Sequence, residues 1–158
     1  MKAIVVYYSL EGNSEFVAEI IAKQLGADTL RLKPVKDNPK GNFSKYFFGG
    51  MNVIFKKTPK LTPYQFNKDA YDTIIIGTPV WADGFAPAIL TFLKENDLSG
   101  KIIALYACSA SGMAKGCLDK LETELSNANI SATLSLKNPK IAQTVEDAAK
   151  IKEFCEKL

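Results

Sequence analysis

The chain has no histidine. That absence removes Ser–His and Cys–His nucleophile pairs, His-ligated metals and imidazole acid–base chemistry. Any reaction here is expected to be carried by a cofactor, with no catalytic side chain and no metal. Cysteine is scarce: Cys108, Cys117 and Cys155 are widely spaced, with no Cys-x-x-Cys. Neither a zinc site nor a redox dithiol is suggested, and all three read as small buried side chains in a reducing compartment. No apolar stretch approaches the ~20 residues of a membrane helix. Residues 1–8 carry no secretory pattern, since Lys2 is followed directly by strand-like residues. A cytoplasmic protein with no membrane partner is the expectation. There is no repeat and no low-complexity segment.

What is present is ordinary globular material, with 158 residues, 47% hydrophobic and 23% charged. This length predicts one domain over 1–158. The formal charge of +3 is an average of two unlike parts. Residues 31–60 hold eight Lys and Arg against Asp37 alone, and the remainder carries a net negative charge. The chain reads as an acidic domain with a basic insertion, so its charge does not point to nucleic acid. The insertion, 33–68, is too long for a bare loop. A helix over Phe43–Phe55, bent at Gly49-Gly50, is expected within it.

Five strand candidates alternate with helical patterns. Ala3–Tyr8, Thr73–Gly77 and Ile102–Ala107 are short and apolar, as strands buried on both faces are. Asp28–Leu32 and Ile130–Leu136 alternate more, as edge or near-edge strands do. Phe16, Val17, Ile20, Ile21 and Leu25 recur at helical spacing, with Gly26 as a stop. Ala88, Ile89, Phe92 and Leu93 follow Pro87, which suits a first turn. Met113, Cys117, Leu118, Leu121 and Leu125 form a third stripe. Val145, Ala148, Ala149, Ile151, Cys155 and Leu158 form a fourth, with Thr144 and Asp147 as a capping pair. The alternation predicts a three-layer α/β fold with a parallel sheet. Ligands in such folds sit beyond the carboxyl ends of the strands.

Three loops occupy that edge. The first, Ser9-Leu10-Glu11-Gly12-Asn13-Ser14, runs from a strand into a helix start. Unpaired N–H groups, hydroxyls and a glycine there suit a phosphate. No Gly-Lys-Ser/Thr follows, so it is not a nucleoside triphosphate loop, and one glycine is too few for the dinucleotide pattern. The second loop, Thr78–Phe85, contains the single tryptophan, Trp81. The third, Cys108–Gly112, is small and polar. Each has a plain reading as a turn or cap. Together they suit one ligand with a phosphate at one end and a flat ring at the other.

These residues resemble the flavodoxin family, which binds flavin mononucleotide (FMN) on a five-stranded sheet ordered 2-1-3-4-5. The likeness extends over essentially the whole chain. It implies that Ser9, Gly12, Asn13 and Ser14, with Leu10 and Glu11 in the same loop, hold the phosphate. It places Thr78, Pro79, Val80 and Ala82 in the second flavin loop, with Trp81 stacking on the ring. It gives Cys108, Ser109, Ala110, Ser111 and Gly112 to the third loop, whose backbone meets the pyrimidine edge. Glu11 stands where the family carries Thr. A carboxylate ~5 Å from a phosphate costs about 3 kcal/mol per unit charge at an effective dielectric near 20, so Glu11 is expected to face solvent. The third loop lacks Tyr or Trp. The open ring face would then be covered by Met113, by an aromatic of Tyr46–Phe48, or by a partner.

The resemblance implies an electron carrier exchanging with redox partner proteins, as a monomer or weak dimer. An FMN-dependent NAD(P)H oxidoreductase of the quinone or flavin reductase type is the alternative. A flavin-free interaction module is the third reading. A phospho-receiver domain is set aside, because Tyr7 and Tyr8 stand where it needs Asp. Lys36, Lys40, Lys45, Lys56, Lys57 and Lys60 are expected to steer an acidic partner or an NAD(P)H phosphate.

Overall fold

Alternation along the first strand, β1 (Ala3–Tyr7), decides the layering. Ala3, Val5 and Tyr7 pack on one side of the sheet, and Ile4 and Val6, with Tyr8 just beyond, on the other. All are buried, so helices must cover both faces. The computed structural model describes residues 1–36 and 58–158. In chain order the further elements are α1 (Asn13–Leu25), β2 (Asp28–Arg31), a 3-10 turn (Lys68–Ala70), β3 (Thr73–Trp81), β4 (Gly84–Phe85) and α2 (Pro87–Glu95). Then come β5 (Ile102–Ser109), α3 (Lys115–Glu124), β6 (Asn129–Lys137), α4 (Pro139–Ala142) and α5 (Val145–Glu156).

Among the described residues, five parallel strands lie in the order β2-β1-β3-β5-β6, which is the expected 2-1-3-4-5 when counted over parallel strands. β4 adds a short antiparallel pairing with β3, Trp81 opposite Gly84. Helices α1 and α5 cover the face that carries Val5, Ile75 and Tyr106, through Val17, Ala18, Ile21, Ile151 and Phe154. Helices α2 and α3 cover the other through Ile89, Phe92, Cys117 and Leu121.

Several expectations need correction. β3 and β5 run past Gly77 and Ala107 to Trp81 and Ser109, because the parallel ladder continues through Thr78–Ala107 and Pro79–Cys108. Thr78 to Trp81 and Cys108–Ser109 are therefore strand rather than loop. The last helix keeps Ile151, Cys155 and Leu158 of the expected stripe against the core, but not the first three residues. Val145 is 88% exposed and Ala148 and Ala149 are exposed, whereas Asp147, Ile151 and Phe154 are buried. The i, i+4, i+7 spacing of that second set defines the inward stripe. Thr144 does cap this helix, its hydroxyl accepting from Asp147 N–H at 3.0 Å. Met113 precedes α3 and is 76% exposed, so it is not part of the core stripe.

The two described ends of the basic insertion join each other. Val35 N–H donates to Lys60 C=O (2.8 Å) and Thr62 N–H to Lys33 C=O (2.7 Å). Lys36 and Lys60 are exposed. The expected helix over 43–55, the aromatics Tyr46, Phe47 and Phe48, and Lys40, Lys45, Lys56 and Lys57 lie outside the described residues.

Candidate cofactor site

A cavity of about 560 Å³ opens at the carboxyl edge of the sheet. Four segments wall it: Ser9, Leu10, Glu11, Asn13 and Ser14; Pro79 to Asp83; Cys108 to Ser111 with Met113; and Asn138.

The first segment is built to leave donors facing outward. Gly12 is the N-cap of α1 with φ 94°, a left-handed conformation that favours glycine. No side chain caps the helix. Ser9 Oγ instead accepts from Gly12 N–H (3.1 Å), which closes the turn. The helix start thus keeps its positive end and its N–H groups toward the cavity. Ser14 Oγ, on a residue 1% exposed, is the buried side-chain polar atom that lacks a hydrogen-bond partner among the described residues. An orphaned buried hydroxyl costs about 1–3 kcal/mol. The adjacent Cys108 thiol is a weak partner that leaves the demand unmet. Burial is the main cause that pushes this thiol up to about 12, with the Ser14 hydroxyl pulling the other way. Cys108 is therefore a protonated, inert wall residue.

Two contacts brace this segment from behind. Arg31 pairs with Glu15 and donates to Ser9 C=O (3.2 Å). That pairing neutralises a carboxylate in the first turn of α1, where an incoming anion would otherwise meet it. Tyr106, fully buried, lies across Gly77 and donates to Ser14 C=O at 2.7 Å. Glu11 is exposed, at the rim of the cavity.

The second segment is a tight hairpin. Ala82 and Asp83 both have positive φ, 43° and 59°, as a two-residue primed turn demands. Asp83 packs its carboxylate on Gly116 at the start of α3, where any Cβ would collide with it. Lys120 holds the same residue through its C=O (2.7 Å) and carboxylate (3.7 Å). Thr78 is fully buried behind the wall, accepting from Ala86 N–H and donating to Pro79 C=O, both at 2.9 Å. Trp81 lines the cavity yet is only 5% exposed, with Tyr8 edge-on at 5.5 Å. In the third segment Ser109 Oγ accepts from Gly112 N–H (2.8 Å), and Ser135 donates to Gly112 C=O (2.8 Å).

Gly12, Thr78, Gly84, Phe85 and Gly112 lie outside the cavity lining, and the other residues of the three expected loops come together around it. Asp83, inside the second loop but not among its expected binding residues, and Asn138, outside all three loops, also line it. The carboxyl-edge rule applies equally to the exit of β6, where Asn138-Pro139 is a turn signal.

A family model described as Flavodoxin matches residues 2–157. Flavodoxin 1 of Escherichia coli is 27% identical over 101 residues, a match spanning 61% of this chain and 43% of that relative. The match therefore covers less than half the relative's length. A flavoprotein from Lactobacillus acidophilus, solved in complex with FMN, superposes with a TM-score of 0.72 at 21% identity, covering 90% of this chain and 97% of that one. An NADH:FMN oxidoreductase in its apo form superposes at 0.63 and 16% identity, covering 99% and 87%. With nearly its whole length under the family model and the same strand order, the chain belongs to the flavodoxin family.

Proposed function

We propose that this protein binds FMN non-covalently in the 560 Å³ cavity and carries electrons between redox partners. The observation that carries the reading is Ser14 Oγ, buried at the start of α1 with no partner among the described residues beyond the weak Cys108 thiol. A phosphate satisfies that hydroxyl and the helix N–H groups together. Ser9, Asn13 and Ser14 would hold the phosphate, Trp81 and Met113 would flank the ring, and the Ser109–Ser111 backbone would meet its polar edge. The flavin supplies the electron chemistry when bound. The chain's own contribution is to bind, orient and exclude water. Of the lining residues, Cys108 is held protonated, Asp83 is engaged with Lys120, and Glu11 is an exposed carboxylate at the rim.

One observation favours a second reading, an FMN-dependent NAD(P)H oxidoreductase. The third segment offers only Met113 against the ring, and Met113 is 76% exposed. A face so lightly covered would admit a nicotinamide, and the fold is shared with an NADH:FMN oxidoreductase. Titration of the apoprotein with FMN and riboflavin, followed by Trp81 fluorescence, tests the site. Quenching with a clear preference for FMN is expected, and equal affinities would remove the phosphate assignment. Steady-state oxidation of NADH and NADPH by the loaded protein, with and without a quinone, separates the two functions. Absence of turnover supports the carrier, and rapid turnover the reductase.

A further inference from the structure

The short helix α4 lays a cation on the first loop. Lys140 N–H donates to Asn13 Oδ1 at 3.0 Å, which ties the root of the side chain to the start of α1. The side chain then runs along Gly12: a Cβ built on Gly12 would lie 2.7 Å from Nζ and 3.3 Å from Cδ. The segment that carries it is fixed on both sides. Asn138 N–H donates to Ser109 C=O (3.0 Å) and Pro139 is buried, while Asn138 itself lines the cavity. The Lys140 ammonium makes no ion pair among the described residues. It sits beside an uncapped helix start, a place where a positive charge has no partner of its own and is disfavoured. A ligand anion would reverse that balance.

The geometry points to Lys140 as a ligand of the cofactor's phosphate, adding a charged contact to the hydroxyl and N–H donors of the first loop. This assignment rests on the reading of the cavity as an FMN site. It also gives Glu11 a counterpart. A carboxylate at the rim repels a phosphate, and the Lys140 ammonium beside Gly12 would offset that repulsion.

The test is flavin titration of the apo wild type, K140Q and K140R with FMN and with riboflavin, at about 20 mM and about 300 mM salt. K140Q is expected to weaken FMN about tenfold at low salt, as loss of a charge-assisted hydrogen bond does. Riboflavin affinity should be unchanged, K140R should keep most of the FMN affinity, and the K140Q deficit should shrink at high salt. Melting of each apoprotein checks that the fold is intact. A K140Q protein that binds FMN like the wild type overturns the assignment. So does equal loss of FMN and riboflavin, which would make Lys140 a support for α4 only. If the wild type itself shows no preference for FMN, the cavity reading fails and this one with it. A wild type that prefers FMN beside an indifferent K140Q removes Lys140 alone.

Discussion

Gly77→Ala should be among the most damaging single-methyl changes in this protein. Gly77 lies between Tyr7 and Tyr106 in the parallel ladder, and the ring of Tyr106 crosses directly over it. A methyl there falls inside the van der Waals envelope of Tyr106 Cζ, Oη and Cε1. The ring cannot swing away cheaply, because it is fully buried and its hydroxyl is fixed to Ser14 C=O. Overpacking costs about 1–3 kcal/mol. Breaking the buried hydroxyl's hydrogen bond adds about 1–3 kcal/mol. The lower unfolded-state entropy of alanine returns about 0.4–1 kcal/mol. The balance is a destabilisation of about 3 kcal/mol, or a fall in Tm of about 6–12 °C for a chain of this size. Thermal and urea melts of the apoprotein measure it. A double-mutant cycle with Tyr106→Leu isolates the cause, since leucine removes the outer ring atoms. The two changes together should cost at least about 1 kcal/mol less than their sum. A Gly77→Ala protein within about 0.5 kcal/mol of wild type, or strict additivity, would refute the reasoning.

Three further predictions follow from the site and its surroundings. Ser14→Ala removes an orphaned hydroxyl, so the apoprotein should melt no lower than wild type, while FMN binding weakens by about 1 kcal/mol and riboflavin binding does not; a clear drop in apo stability would show that the hydroxyl has a structural partner. Burial pushes the thiols of Cys108 and Cys117 up to about 12 from their ordinary 9.0. The native state then keeps protons that the unfolded state releases, so this stability is full below pH 9 and is lost as pH rises toward 12, at about 1.4 kcal/mol per pH unit and thiol. Urea midpoints measured across that range should fall less steeply in Cys108→Ala and Cys117→Ala, and unchanged slopes would contradict this. Ala82→Gly should stabilise by about 1 kcal/mol, because alanine at φ 43° sits in the left-handed region; a lower Tm would mean that its methyl is packed.

The parts of the fold that could be read in the sequence are those where one residue's neighbours in the chain decide its place. Ala3 to Tyr7 carries no polar residue, so it has to be covered on both sides, and the two clusters that flank it follow. Gly26 stops α1 in a left-handed conformation, with φ 63°. The first loop declared itself by hydroxyls and glycine between strand and helix. Strand ends did not, because the ladder through Pro79 and Cys108 depends on a partner strand rather than on local composition. Nor did the first half of α5: Val145, Ala148 and Ala149 are apolar but exposed, and the buried Asp147 sits where pattern reading expects a hydrophobe, whereas Ile151 and Cys155 do pack inward. The contact between Lys140 and Gly12 joins residues from opposite ends of the chain, and nothing in either neighbourhood announces it.

The braces behind the cavity share a pattern that bears on how it binds. Arg31 holds Ser9 and Glu15 from β2, Tyr106 holds Ser14 from β5, Lys120 holds Asp83 from α3, and Asn13 holds Lys140 across to α4. With Ser135 of β6 holding Gly112 in the third, each wall segment is thus fixed by an element other than those it connects. A loop already held in place loses little freedom when a ligand arrives, and more of the contact energy remains as affinity. The same braces dispose of charge. Glu15 and Asp83 each face a cation supplied from elsewhere in the fold, so the helix start of α1 is not cancelled by its own neighbours. Glu11 is a rim carboxylate without an ion pair among the described residues, and the ammonium of Lys140, on α4, likewise has none there and lies against Gly12 of that loop. On the proposed reading, a phosphate beside Lys140 would extend the same pairing logic and engage the donors at the start of α1.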